Sequence, residues 1–179
     1  MPHDNPIGKQ PVVFSIKEAP DKGLLYKASK SLSVTGFSDA DWAESHNDRR
    51  FTLGYCTFVG GNLVTWRSKK QHVVARSSVE AKYRAMSHTT SEMLWVQSFL
   101  REMRIEASSP MEMYCDNKVV MFIASNPMFH KRTKHIEVDC HFIPYMIMQK
   151  QIVTLYVKSK DQLGDIFTKL GMCDVYTLA

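Results

Sequence analysis

The sequence predicts an α/β domain built on one mixed five-stranded sheet with helices on both of its faces. Three observations carry that expectation. Two strand-like runs, LGYCTFV and LVTWR, flank Gly60-Gly61-Asn62, the pattern of a hairpin closed by a glycine-rich turn. From Ser78 to about Arg104, the residues Val79, Tyr83, Met86, Met93, Val96, Leu100 and Met103 recur at three-, four- and seven-residue spacing, as on a long helix with one buried stripe. After that helix, short strand runs alternate with short helical runs, the order that lays helices over a sheet.

Residues 1–30 hold Pro2, Pro6, Pro11, Pro20 and Gly23, and their only strand-like run is VVFSI. They read as a leader, before a domain over 31–171 and a tail over 172–179. VTGFSDADW is the domain's first strand, and the hairpin supplies the next two. RSKKQHVVARS reads as a basic connector to the long helix. Ser108-Ser109-Pro110 closes the helical region, MEMYC is the fourth strand, and DNKVVMFIAS is a helix stopped at Asn126-Pro127. HIEVDCHFIPYMIMQ has helical spacing, but Pro144 is expected to kink or break it, at about 3 kcal/mol if truly interior. VTLYV is the last strand and KDQLGDIFTKL the last helix.

A chain of 179 residues, 44% hydrophobic and 23% charged, has the make-up of one globular domain rather than a disordered tail. A net charge of +5 favours a polyanionic partner. Cys56, Cys115, Cys140 and Cys173 are widely spaced with no CxxC pair, so they read as reduced thiols. The polar start MPHDNPIGKQ is unlike a signal peptide, and no apolar run has the length of a membrane span. The expected setting is intracellular, cytoplasmic or nuclear.

Four acids sit at element ends. Asp39 is on the first strand, Glu80 in the first turn of the long helix, Asp116 where the fourth strand meets a helix, and Asp165 in the last helix. Carboxylates converging from separate elements repel, by roughly 4 kcal/mol per pair at about 4 Å and an effective dielectric near 20. Such a cluster needs protons or cations, and its hard oxygens suit Mg²⁺ or Mn²⁺. Each acid also has a plain structural use. Ser77 and Glu80 fit a capping box, Asp116 fits a helix cap, and Asp165 and Lys169 fit an i,i+4 pair. Asp39 and Asp41 fit a frayed strand end. His130, His135, Cys140 and His141 are too irregularly spaced for a zinc site, and His135 and Asp139 are placed to interact across one helical turn.

The blocks GFSDADWA, DRR..LGY..F.GG.LV.W.SKKQ, ARSSVEAKYRAM, LW.Q..L.E, YCDN, NP.FH.RTKHIEVDCHFI and DQLGDIFTK occur in this order. Together, over about residues 20–175, they resemble the ribonuclease H domain of copia-type LTR retrotransposon polyproteins. APDKGLLY resembles the connection that follows the reverse transcriptase there, so the chain looks like the C-terminal piece of a Pol polyprotein whose reverse transcriptase is a partner. The resemblance implies a ribonuclease H-like fold. It places Asp39, Glu80, Asp116 and Asp165 at the catalytic and metal-binding positions, with Asp41 as the alternative to Asp39. It implies two Mg²⁺ ions, replaceable by Mn²⁺, and hydrolysis of the RNA strand of an RNA–DNA hybrid. Arg67, Lys69, Lys70 and Asn117 are the first candidates for nucleic-acid contacts, then Arg132 and Lys134, with Trp66 either stacked on substrate or in the core. No membrane partner is implied. The alternative is a degraded remnant that at most binds nucleic acid.

The chain departs from that pattern in four places. Lys82 stands in EAKY where the family usually has an acid, on a different helix face from Glu80. Gly164 replaces the usual alanine before Asp165, which would cost about 1 kcal/mol in a helix interior and loosen Asp165. Pro144 stands where arginine is usual. A stretch usually found between Lys169 and LGMCDVY is short here, as after a deletion.

Overall fold

The structure, a computed structural model, describes residues 12–16, 19–29, 31–42, 50–126 and 139–169. A two-stranded antiparallel hairpin, β1 (Val12–Ile16) and β2 (Ala19–Tyr26), precedes the main sheet. The domain then runs β3 (Ser33–Asp41), β4 (Arg50–Val59), β5 (Asn62–Val74), α1 (Ser78–Glu102), β6 (Ser108–Cys115), α2 (Lys118–Ser125), α3 (Asp139–Met148), β7 (Ile152–Tyr156) and α4 (Gly164–Lys169). The five strands lie in the order β5-β4-β3-β6-β7. β3, β4 and β5 pair antiparallel, whereas β6 and β7 join β3 in parallel, so the sheet is mixed as expected.

Strand alternation assigns the helices to faces. Gly36 of β3 lies against Met93 and Thr89 of α1, on the face carrying Val34, Met111 and Met113. The next residue, Phe37, points to the other face, where it packs with Cys56, Leu63 and Phe167 of α4. α1, α2 and α3 therefore share one face and α4 covers the other. The α1 stripe of Tyr83, Met86, Met93, Val96 and Leu100 is buried as the spacing predicts. Each such side chain contributes about 1.5–3 kcal/mol by leaving water. Met103, predicted on that stripe, lies past the helix end and is exposed.

Three glycines do structural work no other residue could do cheaply. Gly60 and Gly61 have φ of +58° and +78°, which turns β4 into β5. Gly54 faces the backbone of α4, and a Cβ there would lie 2.6 Å from the Gly164 carbonyl oxygen. The missing side chain is what lets so short a helix sit directly on the sheet.

Several boundaries differ from the sequence expectation. RSKKQHVV is not a connector but the second half of β5, an edge strand. Ser108-Ser109-Pro110 belongs to β6 rather than ending a helix. α3 continues through Pro144, whose ring is buried. KDQLGDIFTKL divides into a 3₁₀ turn at Ser159–Asp161 and α4. The end of the expected leader is tied to the domain: Tyr26 Oη donates to the Leu63 carbonyl at 2.7 Å, and Asn62 bonds both backbone groups of Lys27. Among the described residues, no helix is long and apolar enough to cross a membrane.

Substituting Gly54→Ala should cost about 1–3 kcal/mol, because the new methyl group meets backbone that cannot rotate away. Urea unfolding checks this, and a variant as stable as the parent would contradict the packing of α4. The Cys56 and Cys115 thiols are buried and pushed by desolvation up to about 12 and about 11. They should resist alkylation in the folded protein at pH 8 and react on unfolding, as site-resolved mass spectrometry would read.

Candidate active site

β3 and β6 run side by side, with Phe37 opposite Tyr114 and their rings stacked at 4.8 Å. Two residues further along each chain come Asp39 and Asp116, both at the carboxyl end of the pair. In open α/β sheets that end is where sites gather. Trp42 fixes the end of β3 by donating from Nε1 to the Ala75 carbonyl at 2.8 Å.

The Lys82 side chain leaves α1 and places its ammonium between the two acids. Nζ lies 2.7 Å from Asp39 Oδ1 and 2.5 Å from Asp116 Oδ1. Ser159 Oγ donates to the other Asp116 oxygen at 3.0 Å. Asp39 is 5% exposed, and its Oδ1 is shut off from solvent with no well-directed hydrogen bond, so the ammonium is what balances its charge. Burial holds the Asp39 carboxyl above the usual aspartate value, although Lys82 opposes that shift. For Lys82, burial pulls downward, but the hydrogen bond to Asp116 and the attraction of both acids outweigh it, and the ammonium is held above the usual lysine value.

The other two predicted acids are engaged elsewhere. Glu80 is 5% exposed and accepts from the Arg76 backbone N–H at 2.8 Å, while Arg84 Nη2 lies 3.1 Å from its other oxygen. Ser77 accepts from the Glu80 N–H at 3.1 Å. Glu80 thus spends itself on the helix start, as in a capping box whose return bond falls one residue early. Asp165 pairs with Lys169 at 2.5 Å across one helical turn. The Lys169 ammonium is held above its usual range by the Asp165 hydrogen bond and by attraction to Asp165, Asp39 and Asp41. Gly164, the residue before Asp165, lies against the Asp39 backbone, so α4 starts at the rim of the same region.

Gly164 is not in a helix interior. It is the first residue of α4, and a Cβ there would lie 2.9 Å from the Asp39 backbone nitrogen. The expected interior penalty does not apply, and the small residue brings α4 against β3. Buried Gln162 completes this junction, donating to the Ser38 carbonyl at 3.1 Å and accepting from the Gly164 N–H at 3.0 Å. Asp116 does not cap α2. Asn117 does, accepting from the Val119 and Val120 N–H groups, so its oxygen is committed to the helix.

Register separates the basic candidates. Cys56 is opposite Trp66, Gly54 opposite Ser68, and Thr52 opposite both Asp41 and Lys70. Trp66, Ser68 and Lys70 therefore share the face of Asp39 and Asp41. Trp66 is 45% exposed and is not a core residue. Arg67 and Lys69 face the α1 side, where Arg67 meets the Tyr55 hydroxyl together with Glu92. Arg132, Lys134, His130 and His135 lie outside the described residues, as do the side chains of Asp139 and Cys140. The sequence signal for Lys82 was its charge inside an otherwise acidic motif, and for Gln162 and Ser159 only their place in the last block.

Two divalent ions do not fit this arrangement. The centre of the Asp39–Asp116 pair is taken by an ammonium. A doubly charged ion brought within about 4 Å of it would meet roughly 8 kcal/mol of repulsion at an effective dielectric near 20. Among the described residues, no group of three or more His, Cys, Asp or Glu side chains is placed to hold a metal.

No family model matches the chain. Over 150 residues it is 42% identical to the retrovirus-related Pol polyprotein of transposon RE2 from Arabidopsis thaliana, covering 84% of this chain and 10% of that one. It is 34% identical over 137 residues to the corresponding polyprotein of transposon TNT 1-94 from Nicotiana tabacum, covering 76% and 10%. The chain thus spans about a tenth of the length of the curated relatives it matches. Among solved structures it is similar to LC11-RNase H1 in complex with an RNA/DNA hybrid, with a TM-score of 0.55, 12% identity, and 75% of this chain and 93% of that one covered. It is also similar to an N-terminal RNase H domain from Mycobacterium tuberculosis, with a TM-score of 0.53, 12% identity, and 77% and 91% covered. At such identity the structural likeness is one of fold.

Replacing Lys82 by Met should destabilise the protein by about 3 kcal/mol, since it strands two carboxylates, one of them buried. The sign of the pH dependence follows from the raised value of Lys82. Its contribution is complete below the ordinary lysine value near 10.5 and is lost as pH rises through the higher folded value. Denaturant unfolding at pH 8 and above pH 10.5 should show the two proteins converging; an undiminished gap would contradict the ion pair.

Proposed function

We propose that this chain, a homologue of the copia-type Pol polyproteins with the ribonuclease H fold, is a ribonuclease H-type domain that takes RNA–DNA hybrids and faces their RNA strand with its carboxylate centre. The observation that carries the reading is the placement of Asp39 and Asp116 side by side at the end of the parallel β3–β6 pair, with Asp165 at the rim. Asp39, Asp116 and Asp165 are the proposed centre. Glu80 is proposed as a capping residue, because its carboxylate is already bound to Arg76 and Arg84.

Phosphates of the hybrid would meet Lys70 on the face of the centre, with Trp66 exposed two register steps away and available to stack. Recognition of RNA would rest on 2′-hydroxyl contacts across a wide, shallow minor groove. The reaction of this class is hydrolysis of a phosphodiester of the RNA strand, with Mg²⁺ or Mn²⁺ supplying the charge. Because the centre as arranged does not fit those ions, no step is assigned to them. A second reading, binding of the hybrid without cleavage, is favoured by one observation: the Lys82 ammonium between the two acids. A reverse transcriptase in the same polyprotein is the proposed partner, and an intracellular setting follows from it.

Fluorescence anisotropy with labelled RNA–DNA hybrid, duplex DNA and single strands tests the reading. The hybrid should bind tightest and lose affinity as salt rises. Lys70→Ala should lower the slope of log K against log salt by about 1, as expected for one lost phosphate contact. Equal affinity for duplex DNA and the hybrid would remove the proposed ligand.

A further inference from the structure

We infer that Lys82 is the resident cation of this centre, and that with its ammonium between Asp39 and Asp116 the folded chain takes no divalent ion there. The inference rests on reading Asp39 and Asp116 as the hydrolytic centre of the domain. A ribonuclease H-type centre is built to gather negative charge, and some cation must compensate it. Here the compensation is covalent. It arrives on α1, the helix that already packs on β3, and needs no ion from solution.

Four observations point the same way. Nζ contacts one oxygen of each acid, at 2.7 Å and 2.5 Å, so it lies where a bridging metal would have to sit. The remaining Asp116 oxygen accepts from the Ser159 hydroxyl at 3.0 Å, which holds that carboxylate in the orientation that meets Lys82. The one other acid near the start of α1, Glu80, is buried and bound to the Arg76 N–H and the Arg84 guanidinium. It therefore does not add a third carboxylate on the α1 side. Lys82 also occupies the α1 position whose side chain reaches Asp39 and Asp116. In the motif EAKY the change that matters thus falls on the lysine and not on the retained glutamate. An acid there would add charge for a metal to bridge; the lysine removes the need for one.

The inference makes the centre convertible. Removing the ammonium leaves two adjacent carboxylates whose repulsion a divalent ion can relieve. Mn²⁺ binding, read by loss of the free-ion electron paramagnetic resonance signal, would compare the parent with Lys82→Ala and Lys82→Gln. The parent should leave the signal unchanged, while the variants should bind at least about tenfold tighter and gain melting temperature with Mg²⁺. Equal Mn²⁺ affinity in all three proteins overturns the inference, and so does the absence of binding in all three.

If neither variant folds, the parent alone decides. Lysine acetylation followed by mass spectrometry should modify Lys82 more slowly than exposed Lys69 and Lys70, at a rate that Mg²⁺ leaves unchanged. Faster acetylation of Lys82 in Mg²⁺ would mean that the metal displaces it, and would overturn the inference. Hybrid binding by the parent, measured alongside, judges the functional reading separately. Its absence, with the Mn²⁺ result as expected, would remove the hybrid as ligand and leave Lys82 assigned.

Discussion

Two carboxylates at the ends of adjacent strands, one of them shut off from water, must be neutralised before the elements around them can close. In this molecule the Lys82 ammonium does so, 2.7 Å from Asp39 and 2.5 Å from Asp116. Much of the surrounding structure bears on that contact. α1 holds the lysine on the β3 side of the sheet through its buried stripe. Gly54 and Gly164 let α4 lie against the backbone of Asp39. Gln162 locks the α4 entry to Ser38, and Trp42 pins the end of β3. The burial that these contacts create is what makes an uncompensated charge costly there.

The same geometry links packing to function. An ion pair of this kind is poor evidence of added stability, since desolvating three charged groups offsets much of their attraction. On the inference drawn above, it stands in for a dissolved cation at a site whose shape the fold dictates. Below its folded titration point a covalently supplied charge does not dissociate or exchange, and an ammonium has no vacant position at which to coordinate a water. On the proposed reading, the domain would keep its fold and a face for nucleic acid without requiring a dissolved ion at this pair. That would separate recognition of a hybrid from its hydrolysis within one scaffold.

Much of this was legible in the sequence. The hairpin around Gly60-Gly61, most of the α1 stripe and the order of elements after it among the described residues match what spacing implied, with boundaries shifted at β6 and α4. β5 was underestimated because its second half, RSKKQHVV, lies at the sheet edge with little burial, and an exposed edge strand carries no hydrophobic signature. Spacing put Asp39, Glu80, Asp116 and Asp165 at element ends alike, and the fold sets Asp39 and Asp116 side by side. Glu80 and Lys82 could not be ranked by pattern. Spacing puts them on different faces of α1, and only the packing of α1 on β3 shows which face meets the acids. The capping-box reading of Glu80, available from Ser77-Ser78-Val79-Glu80, matches what its side chain does.

The most direct test of the account is crystallography of the unmodified chain grown with Mn²⁺, with diffraction collected for the anomalous signal of that ion. The account predicts continuous density for Lys82 reaching between Asp39 and Asp116, and no anomalous peak at the pair. A manganese peak bridging the two carboxylates, with Lys82 turned out to solvent, would contradict it.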